Sequence, residues 1–223
     1  MKRFSIAVDG PAGSGKSTVA KQVAKRLGMI YVDTGAMYRT IALYCMQENI
    51  SLEDEAAVVA ALDNLNMKIQ PQEEGQRIFL NGQDVTDEIR TTEIGKGASA
   101  VGAYQKVRER MVEMQQAMAQ EHSVIMDGRD IGTVVLPDAE VKIYLDAGVE
   151  ERARRRMGEL EAKGETADLE EIKKMILQRD HNDMNRVHSP LKKAEDAVSL
   201  DSTGMCVEEV MQAILKIVAE RVK

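Results

Sequence analysis

The chain has 223 residues, enough for one α/β domain with an insertion, or two small domains, around a sizeable core. Its hydrophobic share of 43% and charged share of 30% are those of an ordinary globular protein, while aromatics make up only 3%, with no Trp, which argues against a stacking platform for single-stranded nucleic acid. A formal net charge of −7 disfavours nucleic acid and anionic membranes as partners, so an anionic ligand has to be met by a local cluster of cations.

Phe4 to Asp9 reads as a short buried strand ending at Gly10, and Ser17 to Leu27 carries apolar residues at helical spacing, with Gly28 as its stop. A second strand, Met29 to Asp33, runs into Thr34-Gly35 and a helix through Met46. Strands alternating with helices imply a parallel sheet. Between Asn64 and Asp87 the period changes, because Met67, Ile69, Ile78 and Leu80 alternate with polar residues and Asn81-Gly82 is a hairpin signal; an antiparallel insertion is expected. Helices follow over Thr92 to Ala103 and Gln105 to Gln120, then strands at Val124 to Asp127 and Val141 to Leu145. A last strand, Ala197 to Leu200, leads to an amphipathic helix carrying Val207, Val210, Met211, Ile214, Ile217 and Val218, read as core packing.

Cys45 and Cys206 match no metal or redox spacing and are expected as buried, reduced thiols, and His122, His181 and His188 form no ligand set. Met1 to Ile6 leads straight into the first strand, and no run approaches the roughly 18 apolar residues of a membrane span. A soluble, cytoplasmic protein is expected, and nothing in the sequence calls for more than a monomer.

Gly10-Pro11-Ala12-Gly13-Ser14-Gly15-Lys16-Ser17 fits the phosphate-loop pattern G-x-x-x-x-G-K-[ST] in its required place between a strand and a helix. Small residues let successive backbone N–H groups point at phosphate oxygens, and the helix that follows, opening with Lys16, Ser17 and Thr18, adds its positive end. Lys16 is expected to reach the β- and γ-phosphates of ATP, and Ser17 to hold Mg²⁺. Switches, motors and small-molecule kinases share this loop. No Asn-Lys-x-Asp base-reading segment is present, and the strand ending at Asp127 continues into Gly128-Arg129-Asp130 rather than a second adjacent acid.

Loops at the ends of parallel strands meet ligands. Asp33 to Arg39 brings Thr34, Tyr38 and Arg39 within one turn of a helix start, and Asp127 to Asp130 adds Arg129. Arg152, Arg155 and Arg156 crowd one helix at i, i+3, i+4 spacing, followed by Gly158, Lys163 and Gly164, which suggest a short closing lid. Arg179 and Arg186 lie further on. Singly, each has a plain explanation as a cap or a solvated charge; jointly they supply what a second, anionic substrate needs, since a guanidinium binds phosphate oxygens in bidentate fashion.

At these residues the chain resembles the bacterial-type cytidylate kinases, a branch of the nucleoside monophosphate kinases. The matching segments are Asp9 to Lys16, Asp33 to Arg39, Asp127 to Val135, Lys142 to Ala147, Arg179-Asp180 through Asn185-Arg186, and Asp201 to Thr203, spread over nearly the whole chain. Adenylate kinases usually carry Asp-Gly-Phe-Pro-Arg where this chain has Asp127-Gly128-Arg129-Asp130. The resemblance implies an α/β fold with a five-stranded parallel sheet in the order 2-3-1-4-5, a core of residues 1–63 and 121–223 with a lid at about 153–168, and an acceptor-binding insertion over 64–120. It implies transfer of the γ-phosphoryl group of ATP to CMP, and to dCMP. Arg39, Arg129 and Arg186 would surround the CMP phosphate, Arg179 and Asp183 would meet the ribose, and Ser99, Arg108 and Asp130 would read the base. Asp127 would hold metal-bound water, and Lys16, Arg152, Arg155 and Arg156 would stabilise the transferring phosphoryl group. Thr34 stands where some relatives have Ser, keeping the hydroxyl and adding a methyl. The competing readings are a kinase for another small acceptor and a nucleotide-sensing module that closes on ATP without turnover.

Overall fold

The fold is known from a computed structural model that describes residues 3–72, 75–162 and 164–222; Met1 of the opening run and Lys163 of the expected lid fall outside it. Apolar runs form the strands of a parallel sheet: β1 (Ser5–Asp9), β2 (Ile30–Asp33), β6 (Val124–Gly128), β7 (Val141–Asp146) and β8 (Val198–Asp201). They lie side by side as β2-β6-β1-β7-β8, which, counting the parallel strands alone, is the expected order 2-3-1-4-5. All four pairings are parallel, so connections must cross the faces of the sheet as helices. On one face, Val19 and Val23 of α1 (Lys16–Leu27) and Ile214 and Val218 of α8 (Val207–Arg221) close over Ile6, Val8, Ile143 and Leu145. On the other, Ala7, Val32 and Met126 meet Ile131 and Val135 of a single π-helical turn, Ile131–Val135.

The stretch between β2 and β6 builds a second core. Here α2 (Thr34–Gln47), α3 (Glu55–Ala61), α4 (Thr92–Val101) and α5 (Gln105–Glu121) pack with the antiparallel sheet of β3 (Met67–Gln72), β4 (Gly75–Leu80) and β5 (Gln83–Asp84). Met37 and Ile41 of α2, Ile78 of β4 and Met111 of α5 are fully buried in it. The Asn81-Gly82 turn, with φ of 49° and 87°, joins β4 to β5 rather than β3 to β4, so the signal is right in type and marks the second hairpin.

Three further departures have local causes. Helix α3 has no strong apolar period and owes its start to Asp54, whose carboxylate accepts from Ala57 N at 3.0 Å. Cys45 is buried as expected, but Cys206 is exposed, because it occupies the N-cap of α8, where its backbone N–H donates to Glu209 at 2.8 Å. Gly158 lies inside α6 (Val149–Glu161), which runs on to Ala162, so the non-helical part of the expected lid is only the link to α7 (Leu169–Asn185). No helix among the described residues is long and apolar enough to cross a membrane.

Candidate active site

The phosphate loop leaves the carboxyl end of β1, the central strand, and feeds α1. Gly10 begins it at φ 150°, and a Cβ there would stand 2.0 Å from Leu145 O of the neighbouring strand, so only glycine lets the chain turn off the sheet at this point. Ala12 is strapped from two sides: its N–H donates to Asp180 Oδ1 at 3.1 Å, and its carbonyl accepts from Arg152 Nη1 at 2.9 Å. Arg152 and Asp180 are themselves joined at 2.5 Å, and Arg152 Nε donates to Ala147 O at 2.9 Å. Arg155 donates to Ser14 O at 3.2 Å and to Ser202 O at 2.8 Å, holding the far side of the loop.

Lys16 is buried, with Nζ donating to Pro11 O at 2.6 Å and Ser14 Oγ at 3.1 Å. Burial, aided by the Arg129 charge, pulls its ammonium down to about 7. Ser17 Oγ donates to Asp127 Oδ2 at 2.8 Å, and Tyr31 OH donates to the other oxygen at 2.7 Å. Burial, together with the neighbouring Asp33 charge, raises Asp127. Thr18 is exposed on the first turn of α1, and the Thr34 hydroxyl is engaged with Asp127 O at 2.8 Å.

Beyond the loop, side chains from α2, α5, α7 and the β6 end converge. Arg129 Nε donates to Asp183 Oδ2 at 2.7 Å; Asp130 pairs with Arg108 and, at 3.3 Å, with Arg186; and Arg108 lies over the Tyr38 ring at 5.4 Å. Arg129 and Arg39 both lie close enough to act on Arg179, and burial, then the Arg129 charge, lowers Arg179 to about 10. Guanidinium atoms of this group, Arg39 Nη1, Arg108 Nε and Arg179 Nε, are buried without a hydrogen-bond partner. Unsatisfied buried donors of one charge in one place are costly unless an anion meets them. Ser99 borders a cleft of about 350 Å³ with Lys96, Ala100, Ala103, Asn182, Asp183 and Arg186, beside Asp130.

Arg156 is not brought to this site: it pairs with Glu159 at 2.9 Å on the outer side of α6. Five participants were not singled out by motif: Tyr31, Arg90, Asp180, Gln76 and Asp9. Both Asp9 oxygens accept from backbone N–H groups, of Ile131 and Gly132, at 2.7 Å, and burial, against these bonds, lifts Asp9 to about 6. Arg179-Asp180 and Asp9 fall in matching segments, which is the only signal the sequence offered for them.

The profile of the cytidylate kinase family matches residues 6–220. The chain belongs to the cytidylate kinase family. Family membership makes it a nucleoside monophosphate kinase, a phosphotransferase. A cytidylate kinase from a Geobacillus species is 51% identical over 217 residues, 97% of each chain, and one from Bacillus cytotoxicus is 52% identical over 219 residues, 98% of this chain and 97% of that one. Among solved structures, an uncharacterized protein from Eubacterium ventriosum superposes with a TM-score of 0.56 at 14% identity, covering 98% of this chain and 100% of that one. A Thermus thermophilus protein gives 0.50 at 18%, each chain fully covered. At such identities these structures bear on the fold alone.

Proposed function

We propose that the chain transfers the γ-phosphoryl group of ATP to CMP, and to dCMP, with the donor on the phosphate loop and the acceptor among the arginines. The observation that carries this reading is the set of buried guanidinium atoms without a hydrogen-bond partner, on Arg39, Arg108 and Arg179, with Arg129 and Arg179 near enough to act on Lys16. Arg39, Arg129 and Arg186 take the acceptor phosphate, Arg179 and Asp183 the ribose, and Ser99, Arg108 and Asp130 the cytosine. Cytosine offers an N4 amino donor where uracil has an acceptor, and the Asp130 carboxylate suits the former. Arg108 and Arg186 hold Asp130 between them and so aim its carboxylate.

Two phosphate groups brought end to end repel each other, and guanidinium groups on either side offset that repulsion. The attacking phosphate oxygen is already largely ionised at neutral pH, so no general base is required. Lys16 leaves Pro11 and Ser14 for the donor phosphates, while Arg152 and Arg155 keep the loop in shape. Residues 64–120, with α2 and α3 packed into the same core, form the acceptor-binding body, the parallel sheet and its covering helices the main body, and closure of the lid, about 153–168, brings Arg156 inward and excludes water.

Mg²⁺ fits the donor set present: one buried carboxylate, Asp127, 2.8 Å from one hydroxyl, Ser17, with no group of acids, His or Cys among the described residues that would cage an ion unaided. Mg²⁺ uses such sparse sites, keeping water and substrate oxygens as its other ligands. Bound there it would neutralise charge on the β- and γ-phosphates.

Release of ADP over a panel of CMP, dCMP, UMP, AMP and shikimate tests the reading. CMP and dCMP should be preferred, and Asp130→Ala should narrow the CMP-to-UMP preference by roughly ten- to a hundredfold, the worth of about 1–3 kcal/mol per lost bidentate pair. A preferred acceptor of another kind, or no acceptor-dependent ADP, overturns it.

A further inference from the structure

Arg90 lies on the 3-10 turn Glu88–Arg90, in the insertion and outside every motif. Its Nη1 donates to Asp33 Oδ2 at 2.8 Å. The same oxygen stands 3.5 Å from Arg39 Nη1, the guanidinium atom left buried without a hydrogen bond. The other oxygen of Asp33 caps α2 by accepting from Ala36 N at 2.9 Å. A second side chain from the insertion, Gln76, clasps the Asp33 backbone, accepting from its N–H at 2.9 Å and donating to its carbonyl at 3.3 Å.

Asp33 is only 4% exposed, so its charge needs a close partner. Two guanidinium groups share one oxygen: Arg90 holds it by a direct hydrogen bond of 2.8 Å, and Arg39 pairs with it at 3.5 Å without one. Without Arg90, the nearest cation able to neutralise the carboxylate is Arg39, and an Arg39 bound to Asp33 is turned away from the acceptor phosphate.

We propose that Arg90 is a positioning residue: by taking the hydrogen bond of Asp33 it keeps Arg39 from closing onto that carboxylate and leaves the Arg39 N–H available to the acceptor phosphate, and it makes acceptor binding depend on how the insertion sits against β2. The inference rests on the reading of Arg39 as a phosphate ligand. Arg90 acts through Asp33, its hydrogen-bond partner. Burial disfavours the Asp33 charge, but Arg39 and Arg90 outweigh it and hold this carboxyl at about 2, so the competition operates at any working pH.

The test uses the full-length enzyme and compares KM for CMP, KM for ATP and kcat in the parent, Arg90→Gln, Arg90→Lys, Asp33→Asn, Asp33→Asn with Arg90→Gln, and Arg39→Gln. Arg90→Gln should raise KM for CMP by about tenfold or more, with KM for ATP within about twofold of the parent, and Arg90→Lys should recover part of the loss. Asn at position 33 still caps α2 but carries no charge to capture Arg39, so adding Arg90→Gln to Asp33→Asn should change KM for CMP by less than about twofold. That comparison also decides the matter if Arg90→Gln alone does not fold. Equal losses for CMP and ATP, or a full Arg90→Gln defect in the Asp33→Asn background, would overturn the proposal. An unchanged KM for CMP in Arg39→Gln would instead overturn the assignment of Arg39; a raised KM there with Arg90→Gln at parent values would overturn only the role of Arg90.

Discussion

Lys16 shows how a buried charge is kept ready for a ligand. Burial and the neighbouring Arg129 pull its ammonium from 10.5 down to about 7, so in the ligand-free chain at pH 8 most of it is neutral. Triphosphate oxygens favour the charged form, so the pKa must rise on binding and a proton must be taken up. Calorimetry of ATP binding at pH 8, in buffers of differing ionisation enthalpy, should show uptake of about one proton, lost in Lys16→Ala; affinity should fall as pH climbs above 7. Uptake unchanged in Lys16→Ala would place the proton elsewhere. Lys16 and Ser17 were legible because a short pattern fixes them in one local turn. Tyr31, which donates to Asp127 at 2.7 Å, and Arg90 were not, because each acquires its role only when strands or insertions distant in sequence meet. Thr34 was legible as a site-bordering hydroxyl but not as a donor to the Asp127 carbonyl, since that bond depends on the register of β2 against β6.

Helix α6 was read as presenting a block of arginines on one side, and the structure separates them. Arg152 turns inward to Ala12 and Asp180, Arg155 reaches Ser14 and Ser202, and Arg156 faces outward to Glu159. Helical spacing gives the neighbourhood of a residue but not the length over which a long side chain bends. On α7, Arg179, Asp180 and Asp183 follow at i, i+1 and i+4, so a single helix serves both the phosphate loop, through Asp180, and the acceptor side, through Asp183. The α2–α4 contact is close at Gly97, where a Cβ would come to 2.9 Å from Leu52 Cδ1 and 3.0 Å from Ala42 Cβ. Leu52 meets the site with the end of a flexible side chain, but the Ala42 Cβ is fixed to the backbone of α2. Gly97→Val should therefore destabilise the fold by about 1–3 kcal/mol through overpacking, read as a lower denaturant midpoint with an unchanged slope. A midpoint equal to the parent's would show that the two helices have slack.

For the molecule as a whole, a formal charge of −7 coexists with a pocket whose buried and half-buried guanidinium groups come from α2, the β6 end, α5 and α7 with the residue that follows it. The acids that balance them, Asp33, Asp130, Asp180 and Asp183, are buried among them and spoken for by hydrogen bonds, so the surface charge and the site charge are separate matters. The parallel sheet was legible in the alternation of apolar runs and helices, whereas its strand order came with the family resemblance and not from the pattern. The second core around α2 was less legible, because α3 carries no clear period and α2, α3 and the antiparallel sheet meet only in the folded chain.

The central claim is that these arginines serve an acceptor phosphate rather than only one another. Equilibrium dissociation constants for CMP and for cytidine, which lacks the phosphate, measure it most directly, in the parent and in Arg129→Ala. The parent should bind CMP at least about a hundredfold more tightly than cytidine, roughly 3 kcal/mol, and Arg129→Ala should close much of that gap by weakening CMP alone. Cytidine bound as tightly as CMP, or a gap untouched by removing Arg129, would contradict the account.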